Sequence, residues 1–479
     1  MTTIRQRWAS RSIPISRRIA EVSLQFGLGA DTIHSTVGPA RIVTGPGRLV
    51  ALVGPSGGGK SSVLAGLKAR FPNACEVQRV QFPADRSVID AVASHRPLSE
   101  ALSLVTACGL GEARLWVRPF DSLSDGEKFR ARLARAVGLH LRGDAASPLL
   151  CDEFCSGLHR RVARAIAYNL RKLTTRRRLN VVVASSNEDV LTDLQPDQVV
   201  YLGSDGTSRC IERPTTSRPV SFRRRLRIER GSKRDYDAFS AMHYRTGEEL
   251  GFVDRVYVLR DGAQGEHLGI VVYAHGPLEL SLRNRATQGR FKCNPKRLNA
   301  QLRILRRLVV HPDVRGCGLG HYLVRETLPL LKKPFVECLA GMGTINPVFE
   351  KAGMQRIGCC PTTPGQRAAM RRLEEFGVDP LGPEFVAQVC RRPRVRRLVT
   401  DFVTQWYTAT TAAGPERTAR QSPQFLARTF RSLIGSRPVY YLWHHKGKPF
   451  DAVPDSGQDE SPIVGPQSNR NRKRKEQHP

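Results

Sequence analysis

The sequence predicts an α/β protein of several domains. Three observations lead there. Strand-like and helix-like segments alternate through residues 20–205 and again through about 221–365. Two Gly-rich loops each lie between a β-branched run and a helix-like segment. The chain has 479 residues, more than one ordinary core accommodates.

Taken in order, residues 1–212 read as a first α/β unit. Ser16–Phe26 reads as its opening strand, while Leu49–Val53 and Asn180–Ser185 are short apolar runs of the buried parallel kind. Arg213-Pro-Thr-Thr-Ser-Arg-Pro219 punctuates the chain, which sets a linker at 213–220. A second α/β unit is expected over 221–365. A mostly helical region is expected over 366–450, carrying the basic run Arg391-Arg392-Pro393-Arg394-Val395-Arg396-Arg397. Residues 451–479 are polar and Pro-rich and contain Asn469-Arg-Asn-Arg-Lys-Arg-Lys475, so they read as a disordered basic tail.

The formal net charge is +33. Such a surface attracts polyanions, and nucleic acid is the leading partner because Lys and Arg displace counterions from phosphate backbones. The eleven Cys form no paired CxxC array, which leaves little ground for a zinc site and fits reduced thiols in a cytoplasm. No apolar run reaches the roughly 18 residues a membrane helix needs.

Gly54-Pro55-Ser56-Gly57-Gly58-Gly59-Lys60-Ser61 fits GxxxxGK[ST]. It follows an expected strand and opens an expected helix, the setting that separates a phosphate loop from a chance match. The glycines let successive N–H groups turn inward onto phosphate oxygens, and the helix start adds partial positive charge. Lys60 would reach the β- and γ-phosphates of ATP, Ser61 would hold Mg2+, and Ser62 lies next in the helix start. Pro148-Leu-Leu-Cys-Asp152-Glu153 ends an apolar strand in two carboxylates. Asp152 suits the Mg2+ shell and Glu153 suits polarising the attacking water.

Between these motifs lies Leu123-Ser124-Asp125-Gly126-Glu127, followed by an Arg-rich helical run. This segment resembles the LSGGQ signature of ABC-type ATPases. Ser124 and Gly126 match it; Asp125 and Glu127 depart from it. The resemblance spans about residues 15–210. It implies that Gln81 joins the nucleotide and Mg2+ site, and that ATP drives homodimerisation, because such sites close between two modules. His159 stands where the family's D-loop has Asp, and Ser186 stands at the switch-histidine position. Those departures point to a slow, switch-like ATPase.

Further on, Arg303–Val310 reads as a strand, and Arg315-Gly316-Cys317-Gly318-Leu319-Gly320 as a Gly-rich loop opening a helix. Arg315, Gly318 and Gly320 match [QR]xxGx[GA], and the segment resembles motif A of the GCN5-related N-acetyltransferases. Asn346-Pro-Val-Phe349-Glu-Lys-Ala-Gly353 resembles that family's closing helix, with Phe349 where a Tyr often stands. Tyr236–Arg245 would be its first helix, and Val256–Leu259, Gly269–Tyr273 and the Phe335–Ala340 segment its strands. The resemblance covers about 225–360. It implies an acyl-CoA, probed first as acetyl-CoA, held by Val310, Arg315, Gly316, Gly318 and Gly320, with Asn346 nearby. The candidate bases are Glu337, Glu279 and His243, with His311 more readily a strand-end turn.

Together these features resemble fusions of an ABC-type ATPase with an acetyltransferase. The expected function is ATP-dependent N-acylation of a nucleic-acid base, whose exocyclic amine is already neutral. A remodelling ATPase with an acyl-CoA-sensing domain, and an acetyltransferase for proteins or small amines, are the alternatives. A transporter subunit is disfavoured.

Overall fold

The computed structural model describes residues 2–7, 15–27, 36–214, 219–240, 242, 250–262, 265–410, 418, 420–435 and 437–445. The expected tail at 451–479 lies outside them. Among the described residues the strands form three sheets.

A two-stranded ribbon pairs β1 (Thr2–Arg7) with β2 (Thr36–Ile42). Between them Arg17–Phe26 is a helix, α1, where the sequence predicted a strand. Val22, Leu24 and Phe26 alternate as in a strand, but Ile19, Val22 and Phe26 also recur at helical spacing. Local chemistry decides the outcome. The Ser16 hydroxyl accepts from Ile19 N, Arg17 pairs with Glu21 one turn on, and Gly27 closes the helix at φ 63°.

The six-stranded sheet has the order β4-β5-β6-β3-β7-β8: β3 (Leu49–Val53), β4 (Cys75–Glu76), β5 (Leu149–Cys151), β6 (Val181–Ser185), β7 (Gln198–Leu202) and β8 (Ser208–Glu212). All pairings are parallel except β7 with β8. A parallel sheet is covered on both faces, so β3 and β6 bury every residue. Leu49, Ala51 and Val53 face one core with α3 (Asp125–His140) and α4 (Arg160–Arg177). Val50 and Leu52 face another, with Val63, Leu64 and Leu67 of α2 (Lys60–Arg70) and Ile4, Ala40 and Ile42 of the ribbon.

The seven-stranded sheet runs β14-β15-β13-β12-β11-β10-β9. Its members are β9 (Leu226–Gly231), β10 (Val253–Asp261), β11 (His267–Ala274), β12 (Leu302–Val310), β13 (Phe335–Ala340), β14 (Gln355–Cys359) and β15 (Val439–His444). Only β12 and β13 pair in parallel, and only through Leu302–Leu305 against Phe335–Cys338. Beyond Leu305 the two strands part. β12 continues to Val310 against β11, while β13 continues to Ala340 against β15. Helix α5 (Lys233–Ser240) covers one face through Phe239, and α6 (Leu319–Thr327) covers the other through Leu323 and Val324.

The expected boundary at 365 does not close this unit. The chain leaves the sheet after β14 and builds α7 (Pro364–Glu375), α8 (Phe385–Arg391), α9 (Pro393–Thr410) and α10 (Pro423–Gly435) around their own core of Leu373, Phe385, Val399 and Phe430. It then returns as β15 between β13 and β14. Val439-Tyr-Tyr-Leu-Trp-His444 is rich in β-branched and aromatic residues and is buried through Leu442. It is a central strand inside the region expected to be helical.

Candidate functional site

The first loop joins β3 to α2. A Cβ at Gly54 would lie 2.2 Å from Leu202 O on β7, so the loop can leave the sheet only as glycine. Gly57 and Gly59 adopt φ of 82° and 83°, the left-handed region that lets the backbone curl. Helix α2 opens at Lys60, whose ammonium donates to Gly54 O at 2.8 Å and Pro55 O at 2.7 Å. Ser56 and Ser61 are exposed, Ser62 is half-buried, and Gly58 packs below. The strand order carries β5 to within one strand of this loop. At its end Asp152 is half-buried, and Glu153 is exposed at φ 44°, in a left-handed turn. Glycine cradle, helix start, lysine and two carboxylates fit ATP with Mg2+; Ser61 and Asp152 would hold the ion.

Gln81 does not reach this acid turn. It is exposed, with its amide on Arg79 O at 3.4 Å. Gln78, three residues earlier, brackets the Asp152 backbone instead: its Oε1 accepts from Asp152 N at 3.2 Å and its Nε2 donates to Asp152 O. Both glutamines stand in one short segment, and only the turn at Val77–Arg79 distinguishes them.

Ser124 caps α3, and Glu127 returns a carboxylate to Ser124 N at 3.0 Å. This is the reciprocal cap that Glu or Gln at the third helical position makes. A Cβ at Gly126 would sit 3.1 Å from Leu158, so α3 packs close to the segment after the acid turn. Ser186 is exposed at the end of β6.

The second loop follows β12. Arg315 ties three segments together: Nε donates to Val310 O at 2.9 Å, Nη2 to Met242 O at 3.1 Å, and Nη1 to Gly111 O of the first unit. Gly316 and Gly318 both have φ 84°, and α6 opens at Leu319. A Cβ at Gly320 would sit 3.1 Å from Val348, so Gly lets the short helix Val348–Lys351 close over the loop. Asn346 is exposed just before that helix. β12 runs on past its pairing with β13, which covers Leu302–Leu305, and ends at Val310 just before this loop.

The candidate bases lie elsewhere. Glu337 has 0% exposure; Arg283 binds both its oxygens at 3.0 Å, and the Tyr440 hydroxyl donates at 2.9 Å. It faces Ile304 across the sheet, six residues before Val310 and thus about 20 Å from the second loop. A carboxylate so saturated and so placed has the bonding of a structural anchor. Glu279 is exposed and accepts from Asn284 Nδ2 at 2.7 Å and Cys293 N at 3.1 Å, which hold its pKa below the usual range. His243 lies outside the described residues. His311 accepts from Asp313 N at 3.3 Å, and burial lowers its pKa. Phe349 lies 5.3 Å from the Tyr441 ring, whose hydroxyl is 2.8 Å from Glu350 and 3.1 Å from Gly343 O. Sequence reasoning missed Arg283, Tyr440 and Tyr441, because their partners lie far along the chain.

The units are in direct contact at the second loop. From α4, Asn169 donates to Arg315 O at 3.2 Å and Lys172 to Gly316 O at 2.7 Å. Arg161 binds Glu266 at 2.5 Å and Asp313 at 3.5 Å, and Ala165 joins the second unit's core. Asp193 of the first unit takes Ser221 N and its hydroxyl at 2.6 and 2.7 Å.

Among the described residues no group of three or more His, Cys, Asp and Glu could hold a metal ion, and no helix is long and apolar enough to cross a membrane. Sheet, loop and helix define the first unit as a P-loop nucleotide-binding fold. Over 37% of its length the chain is similar to solved ABC cassettes. The dimeric cassette MJ0796, described as bacterial, aligns at 17% identity over 92% of that chain with a TM-score of 0.29. Its form bound to ADP and Pi gives 19%, 92% and 0.30. CbiO1 of Clostridium perfringens, part of an ABC transporter complex, gives 19%, 80% and 0.29. No family model and no curated protein matches the sequence.

Proposed function

We propose that the chain joins an ABC-type ATPase unit to a GCN5-related acyltransferase unit that uses an acyl-CoA to acylate a base in DNA or RNA. The observation that carries this reading is the pair of Gly-rich loops, each at the end of a buried strand and the start of a helix, one in each unit. At the first, Lys60 and the loop N–H groups bind the ATP phosphates. Mg2+ on Ser61 and Asp152 would neutralise charge developing on them. Glu153 takes the proton of the attacking water as the bond to the γ-phosphorus forms and the bond to ADP breaks. Ser124 and Gly126 serve a second copy's nucleotide in an ATP-dependent homodimer.

At the second loop, the part of β12 beyond its pairing with β13 lies along the acyl-CoA arm, and the start of α6 receives its phosphates. The sheet order β14-β15-β13-β12, with one parallel pair that splays, supports the acyltransferase reading. The net charge of +33 and the exposed Arg391, Arg392, Arg394 and Arg397 favour a nucleic-acid acceptor. Transfer of labelled acetyl from acetyl-CoA to a panel of DNA, tRNA and proteins, with wild type and Lys60→Ala side by side, tests the reading. Label on nucleic acid that depends on Lys60 is expected; no transfer to any acceptor sinks it.

Two observations favour a second reading. Glu337 is locked to Arg283, and Phe349 lacks a hydroxyl. An acyltransferase fold that binds acyl-CoA as a signal for a nucleic-acid-remodelling ATPase would give tight acetyl-CoA binding without turnover.

A further inference from the structure

The second anion loop is not built from the second unit alone. Lys172, on α4 of the P-loop unit, reaches across and spends one of its three donors on Gly316 O. It also lies 5.2 Å from the ring of Tyr168, one helical turn back. Arg223, in the turn Ser221–Arg225 that enters the second unit, stacks 4.7 Å over Tyr322, in the first turn of α6. His321, the neighbour of Tyr322, packs against Gly318. Lys172, Arg223 and the opening turn of α6 therefore meet at one place, and two of these three elements lie outside motif A.

The charges that act most on His321 have one sign. Burial, and after it the charges of Lys351, Arg325, Arg223 and Lys172, hold the His321 pKa down. Two acids border the group: Glu326 pairs with Arg325 at 3.0 Å on the exposed side of α6, and Asp193 accepts from Ser221 in the turn that carries Arg223. Like charges gathered at a helix start repel one another and the positive end of the helix. Proteins assemble such a set where a ligand carries several negative charges.

We infer that the acyl-CoA site is composite: Lys172 of the P-loop unit and Arg223 of the inter-unit turn join the start of α6 in holding the phosphates of the acyl-CoA. This rests on the acyl-CoA reading above and goes beyond it, because it makes the P-loop unit part of the donor site. Asn169 and Ala165 fix α4 on the loop, so the lysine is positioned by the seam itself.

The test is calorimetric titration of the full chain with CoA, dephospho-CoA and pantetheine. Lys172→Ala and Arg223→Ala should each weaken CoA binding about tenfold, the size of one lost charged contact, and the loss should shrink at high salt. Pantetheine, which has no phosphate, should bind the variants like wild type. Asn169→Ala removes a seam contact without a charge and should spare the discrimination between CoA and pantetheine. CoA affinities unchanged in both charge variants would overturn the composite site. So would equal losses for CoA and pantetheine in all three variants, since the effect would then be loop distortion. An oligonucleotide that competes with CoA and weakens in the same variants would give the site to another phosphate source and remove the assignment. If wild type binds ATP but none of the three compounds, the acyl-CoA reading itself falls; if wild type binds CoA and the variants match it, only the composite site does.

Discussion

Glu337→Gln separates an anchor from a base. The substitution keeps the shape and removes the charge. Arg283 is fully buried, and its guanidinium meets both Glu337 oxygens at 3.0 Å, with its remaining donors on the carbonyls of Pro277 and Leu278. Glutamine can accept only one of the two Arg283 bonds and, in either orientation of its amide, would turn its own NH2 towards the guanidinium. An uncompensated buried cation costs about 3–5 kcal/mol. In a unit of this size that is a fall of about 10 °C in midpoint. Differential scanning calorimetry should show it in the transition that carries the seven-stranded sheet, with ATP binding at Lys60 intact. The apolar double variant Arg283→Met with Glu337→Leu should recover most of the loss, because it removes both charges together. If Glu337→Gln leaves stability untouched and abolishes acyl transfer, the anchor argument is wrong and the residue is the base.

Three further outcomes follow from the geometry. Gly54→Ala places a methyl group 2.2 Å from Leu202 O, so ATP affinity should collapse with a stability loss of about 1–3 kcal/mol, whereas Lys60→Ala should lose ATP binding with little change in midpoint; equilibrium binding of a fluorescent nucleotide and thermal melts check both. His140 and His311 are held neutral chiefly by burial, so the unfolded chain binds protons first, and stability should fall as pH drops below the ordinary imidazole value of 6.5; flat stability from pH 7.5 to 5.5 would contradict this. Removing residues 469–475 should make the salt dependence of nucleic-acid affinity shallower in a log–log plot, and an unchanged slope would exclude that tail from the interface.

What was legible in the sequence was local. The P-loop declares itself within eight residues, because its chemistry needs glycine at positions next to one lysine. The Arg315–Gly320 loop is legible for the same reason. Pairings at a distance were not. Glu337 meets Arg283 from 54 residues before it and Tyr440 from 103 residues after it, and nothing in the strand Phe335–Ala340 announces either. The strand Val439–His444 carried a readable β pattern but followed a helical stretch and had no evident partner. The register of Gln78 over Gln81 depends on a single turn. The contact of Lys172 with Gly316 joins residues 144 apart on two units that read as separate modules.

The return of β15 between β13 and β14 has an architectural consequence. The segment that carries helices α7–α10 begins and ends at neighbouring points of the sheet, where Cys360 N donates to Pro438 O at 2.9 Å. It is therefore a grafted appendage with a single attachment, not a terminal extension. Such a graft can be lengthened, exchanged or cut back to a hairpin without severing the strands it hangs from. Its Arg-rich surface can diversify while the sheet beneath keeps its register.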